Sequence, residues 1–158
     1  MPTIETSLMT QYQKNGFAKV DERLTRPEMV TLSHRMDMIA EGRAPRCPAE
    51  MVEFALTATR TSSRSPVRTI SQGVQRGEVF VSHIMNPRIL DVVKFLIRRD
   101  TKLFGSQCFM TSRGGLEKSF HPNPAYFTIE PPARVTSYTA LHNTTIDNGC
   151  LRVVQGSH

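Results

Sequence analysis

The chain reads as an α+β protein in which a helical N-terminal half gives way to many short strands. That order suits a double-stranded β-helix, or jelly-roll, with bracing N-terminal helices. Two helices with explicit start signals, and a change of apolar period after Asp100, carry the expectation.

The first element is a turn at Asn15-Gly16 leading into a short strand over Phe17 to Val20. Thr25-Arg26-Pro27-Glu28 then has capping-box spacing with proline at the favoured first helical position, which predicts a helix over 27–41. Val30, Leu32, Met36 and Ile39 supply its apolar residues, and Gly42 ends it. His34 falls inside this helix and reads as an exposed or partly packed residue rather than a ligand.

Residues 43–77 are less regular. Glu50 to Thr59 has the makings of a short helix, whereas Thr61 to Pro66 is small, polar and rich in breakers, hence a loop. Arg43, Arg46, Arg60, Arg64, Arg68 and Arg76 are concentrated here. A guanidinium fork matches both carboxylate and phosphate, so these side chains either grip an anionic ligand or form a solvated basic surface. The stretch lacks the succession of aromatic residues on which single-stranded bases stack, so nucleic acid is not an expected partner.

The helical pattern returns at Asn86, an N-cap followed by Pro87 in the first turn. Ile89, Leu90, Val93, Leu96 and Ile97 recur at helical spacing, and Arg98-Arg99 suit the negative C-terminus. The apolar stripe is expected to lie on the outside of a sheet. His83, just upstream, reads as structural.

After Asp100 the period becomes strand-like. Leu103 to Met110 reads as a strand and Thr111 to Gly115 as a turn; 125–129 and 134–142 read as two further strands separated by Glu130-Pro131-Pro132. Asn143 to Gly149 is a polar turn and Cys150 to Val154 a last strand.

A length of 158 residues with 39% hydrophobic content suits one domain over 1–158 with a real core, and is too short for two ordinary ones. Lys and Arg number 20 against 14 Asp and Glu, giving a net charge of +6. That excess attracts phosphate-bearing ligands or simply favours solubility. Cys47, Cys108 and Cys150 are odd in number and widely spaced, fitting neither a disulfide framework nor a Cys-x-x-Cys zinc pattern. A reducing cytoplasm is therefore the expected compartment. Met1 to Gln13 is polar and no stretch approaches a membrane span, so neither a secretory signal nor a membrane partner is expected.

Two segments stand out chemically. Ser119-Phe120-His121-Pro122-Asn123-Pro124-Ala125-Tyr126-Phe127 sets a histidine and an asparagine one residue apart. Asn148-Gly149-Cys150-Leu151-Arg152-Val153-Val154-Gln155-Gly156-Ser157-His158 closes the sequence. Together they resemble the phytanoyl-CoA dioxygenase family, whose members carry His-x-Asp-Pro-x-Tyr-Phe and, roughly thirty residues on, Asn-Gly-Cys-Leu-x-Val-x-Pro-Gly-Ser-His.

The resemblance implies a cupin-like jelly-roll and a non-haem Fe(II)/2-oxoglutarate-dependent oxygenase, hydroxylase in type, acting on a small organic or lipid-derived substrate. It also implies a metal held by two histidines and one carboxylate, with positions open for co-substrate and oxygen. By that resemblance His121 is the first metal ligand, Asn123 occupies the place of the metal-binding aspartate, and Gln107 lies beside 2-oxoglutarate. Thr111 replaces a lysine of the family pattern and Gln155 a proline. Residues two apart on an extended segment project to one side, so His121 and Asn123 are expected to face inward together at the barrel mouth.

An amide at 123 offers an oxygen to a hard cation but no negative charge, so binding is expected to be weaker. Equally, Asn123 serves as a turn residue bonded to its own backbone. Tyr126 and Phe127 match the family and suit core packing; His142 reads as loop-proximal, and His158 as a turn residue rather than the second ligand. The family's distal metal histidine and 2-oxoglutarate-binding arginine come from strands further downstream. The chain is therefore expected to be the first part of a domain, truncated after the strand ending near Val154, or to have its barrel completed by a second chain. The competing expectation is a non-catalytic relative, its metal site degraded at Asn123, serving as scaffold or as partner of an active paralogue.

Overall fold

The computed structural model describes residues 4–21, 24–44, 52–54, 67–98, 100–110, 119–121 and 134–158. Among them run helix α1 (Ile4–Asn15), α2 (Arg26–Ala40), strands β1 (Val52–Phe54) and β2 (Val67–Ser71), a 3-10 turn (Gly73–Arg76), α3 (Glu78–Ile84), α4 (Pro87–Ile97), β3 (Gln107–Phe109) and a second 3-10 turn (Ile146–Asn148). The arrangement is α+β.

The capping box of α2 forms as its spacing predicts. The Thr25 backbone N–H donates to Glu28 Oε2 at 2.6 Å, and the Glu28 N–H donates to Thr25 Oγ1 at 3.4 Å. Two of the N–H groups that a helix start leaves unpaired are thereby satisfied. Leu32, Met36 and Ile39, one helical stripe, are buried, whereas Val30 on the far side is exposed. At the other end Gly42 adopts φ +68°, which glycine reaches without steric cost.

That stripe meets Ile70 of β2 and Phe80 of α3 to make the core. Ile70 is fully buried, a change worth about 1.5–3 kcal/mol for a side chain of its size. The sheet behind it has three antiparallel strands in the order β1-β2-β3. Its register pairs Ile70 with Cys108, Thr69 with Phe109 and Ser71 with Gln107. Side chains alternate along a strand, so Ile70 and Cys108 point to the core while Thr69, Ser71, Gln107 and Phe109 share the other face. Cys108 and Met110 do pack against the core, in keeping with that parity.

Helix α4 starts where Asn86 predicts: its side-chain oxygen accepts from the Arg88 N–H at 3.0 Å. Its apolar residues are half-buried and none is fully enclosed.

Several expectations are corrected. Ile4–Asn15 is a helix that no N-cap or clear stripe announces; it buries Met9 and stops at Gly16, φ +80°. No strand follows at 17–20, and 52–54 is a strand rather than part of a helix. The strand expected over 103–110 is confined to Gln107–Phe109, and 134–142 and 150–154 form no ladder among the described residues. Alternating residues suit a strand, but a strand exists only where a neighbour takes its backbone hydrogen bonds. The loop at 61–66, the turn at 111–115 and the strand at 125–129 lie outside the described residues, as do 55–59.

The segment 150–158 is placed by contacts with α1 instead. The Gly156 N–H donates to the Asn15 carbonyl at 2.9 Å and Gln155 Nε2 donates to Asn15 Oδ1 at 2.7 Å. The His158 ring lies over Gly16, where a Cβ would come within 2.6 Å of Nδ1. Residue 16 therefore needs glycine twice over, for its φ and for this approach.

Candidate functional site

Gln107 begins β3, directly across from Ser71, and its side chain is exposed on the face away from the core. Thr69, one step along β2 on the same face, is 2% exposed, yet its hydroxyl has no hydrogen-bond partner among the described residues.

His121 is exposed rather than turned into a packed interior. Its Nδ1 lies 2.8 Å from the Ser119 carbonyl oxygen. A carbonyl only accepts, so this contact places a proton on Nδ1. Beside it, the Arg152 guanidinium sits 5.5 Å from the centroid of the Phe120 ring. The cation–π contact, worth about 0.5–1 kcal/mol at an exposed site, brings the Asn148–His158 segment next to the histidine segment, so the two stretches distinguished by sequence are neighbours. Asn123, Thr111, Tyr126 and Phe127 lie outside the described residues.

The other histidines fall elsewhere. His34 and His142 line an open groove of about 880 Å³ with Leu24, Met29, Asp37 and Leu141. His158 belongs to the contact with α1. No group of three or more His, Cys, Asp or Glu among the described residues is placed to hold a metal ion. The described residues alone therefore do not supply the two histidines and one carboxylate of the Fe(II) centre that the family resemblance implies, and the sequence sets a neutral amide at 123 in the carboxylate's place.

Of the arginine concentration, Arg43 is engaged by the Glu41 carboxylate, its Nε donating at 2.7 Å; the side chains of the other five are not among those described. Cys108 is held in the core, where burial pushes its thiol pKa up to about 11 and keeps it protonated and inert.

One polar cluster escapes sequence reasoning. His83 Nε2 lies 3.3 Å from Thr139 Oγ1, while its buried Nδ1 has no partner among the described residues. Burial lowers its pKa, and the Glu28 carboxylate partly opposes that shift. Glu28 is itself held below the ordinary carboxylate range, first by the Thr25 backbone and hydroxyl and then by Arg88. Arg88 Nη2 reaches both Glu28 oxygens at 2.5 Å, and Asn86 Nδ2 donates to Oε1 at 3.0 Å. The capping box of α2 and the N-cap of α4 are legible in the sequence; their meeting across 58 residues is not.

The sequence profile of the phytanoyl-CoA dioxygenase family matches residues 12–158, and the chain belongs to that family. A curated relative, the "Probable phytanoyl-CoA dioxygenase" of Caenorhabditis elegans, is 26% identical over 157 residues, covering 93% of this chain and 50% of the relative. The chain thus spans about half the length of the relative it matches. Among the described residues no helix is long and apolar enough to cross a membrane.

Proposed function

We propose that the chain provides the Gln107- and His121-bearing portion of a non-haem Fe(II)/2-oxoglutarate-dependent oxygenase of hydroxylase type, built on a cupin-like jelly-roll and acting on a small organic or lipid-derived substrate in a reducing, cytoplasmic compartment. The observation that carries this reading is the family match, which runs through both residues and through the Asn148–His158 segment. In it Gln107 would contact the co-substrate and His121 would be the first metal ligand, with its Nδ1–H held by the Ser119 carbonyl. The remaining ligands come from outside the described residues, and a second chain that completes the barrel is one source of them. Exposed Leu151, Val153 and Val154, without ladder partners among the described residues, suit such strand addition.

Asn123 favours a second reading: a non-catalytic relative whose degraded site serves as scaffold or as partner of an active paralogue. An amide supplies no charge to offset a divalent cation. Anaerobic Fe(II) titration with 2-oxoglutarate separates the two, followed by the weak visible charge-transfer band of the chelate. A band in the parent protein supports the oxygenase. No band in the parent, but one in Asn123→Asp, supports the non-catalytic relative.

A further inference from the structure

The 134–142 segment reaches α3 and the core through its second half. Thr136, Ser137 and Tyr138 are exposed, Leu141 packs against the edge of the buried cluster, and Thr139 Oγ1 lies 3.3 Å from His83 Nε2 on α3. The last of these contacts is sensitive to protonation, because the opposite ring nitrogen, Nδ1, is buried with no partner among the described residues. In one neutral form Nε2–H donates to Thr139 and Nδ1 keeps only an unpaired lone pair. The other neutral form and the imidazolium both set an N–H in that enclosed space, where an orphaned donor is costly. We propose that His83 and Thr139 form a pH-sensitive latch, in which uptake of a proton at Nδ1 releases the 134–142 segment from α3.

Releasing Thr139 lets the ring turn to water, where an imidazolium is hydrated. The proton therefore binds the open form more tightly and pulls the equilibrium towards it. Burial lowers the pKa of His83 in the closed form, in keeping with that preference. Of the charged groups around the ring, Glu28 of α2 opposes the shift, and Arg88 of α4 is bound to that carboxylate at 2.5 Å. The 134–142 segment presents only the neutral Thr139 hydroxyl to it. His142 of the same segment, with His34 and Asp37 of α2, lines the groove beside Leu141, so these groups must stay unaltered in any test. The chain continues from 142 into Asn148–His158, whose Arg152 sits over Phe120 beside His121. Opening of the latch thus loosens the polypeptide that flanks the candidate site.

The test follows methyl and imidazole resonances of the full chain between pH 7.5 and pH 5.5. The ratio of docked to released segment, read from the Leu141 methyl shift, should fall by up to about tenfold over that interval. Cross-peaks from Leu141 to the buried cluster should weaken with it, while those between Ile70 and Phe80 persist. His83→Gln should hold the ratio constant across the same interval. Thr139→Val should lower it about fivefold at pH 7.5, the worth of one hydrogen bond. A parent segment that stays docked at pH 5.5, or comes away only when the Ile70 and Phe80 cross-peaks also vanish, overturns the proposal. So does a His83→Gln protein that still releases on acidification, which would move the cause to His34 and His142, or a Thr139→Val protein docked as fully as the parent. Should the variants not fold, the parent alone decides: the His83 ring and the Leu141 methyls must follow one titration curve, and separate midpoints sink the latch.

Discussion

The polypeptide from Leu24 to Phe109 and the polypeptide from Arg134 to His158 are built on different terms. In the first, α2, α3 and the sheet close on one buried cluster, and the caps of α2 and α4 share a carboxylate. In the second, a single 3-10 turn interrupts otherwise irregular backbone, and Ile146, Leu151, Val153 and Val154 stand exposed. Its attachments include Thr139 to His83, Leu141 against the edge of the core, Arg152 over Phe120, and Gln155 and Gly156 to Asn15. The contrast teaches that a shared buried cluster organises one region, whereas the other is located by individual contacts with the elements around it.

Removing the core should therefore abolish both, and removing a cap should loosen only one corner. Ile70→Ala is expected to cost about 2–5 kcal/mol, the range for deleting a fully enclosed aliphatic side chain, read as the shift in a urea unfolding curve. Thr25→Ala should cost about 1 kcal/mol, with hydrogen exchange accelerating in the first turn of α2 before anywhere else. A loss confined to the 134–158 segment in either variant would contradict the comparison.

A smaller effect should appear as a pH dependence. His83 has a lowered pKa in the folded protein, so below about 6.5, the ordinary histidine value, the unfolded chain binds more protons than the folded one. Stability attached to neutral His83 is thus present above that value and is lost as pH falls through it towards the depressed folded pKa. Unfolding curves at pH 7.5 and pH 5.5 should differ accordingly, and His83→Gln should remove most of the difference. Glu28 contributes in a separate, more acidic window, since its lowered pKa adds stability that fades only as pH drops below the ordinary carboxylate range.

What the sequence discloses follows the same division. Thr25, Glu28, Gly42, Asn86 and Pro87 act within a few residues of themselves, so capping box, helix ends and caps are readable in one dimension. Helix α1 lacks such marks. The strands expected at 17–20, 134–142 and 150–154 show the opposite limit: among the described residues they have no partner strand, and suitable residues alone do not make a sheet. At the candidate site, Gln107 and His121 are accessible through the family pattern, but Thr69 is not. Its enclosure depends on a register that brings 69–71 against 107–109, which no local spacing encodes.

The contact between Asn15 and Gln155 spans 140 positions. Closing a flexible loop of that size costs about 4 kcal/mol, more than two ordinary hydrogen bonds at about 1 kcal/mol each return. The tail cannot find α1 unaided; its berth there is inherited from everything folded in between. A pair of fluorophores near residues 15 and 155 would accordingly act as a gauge of the intervening structure, separating as soon as the hydrophobic cluster gives way.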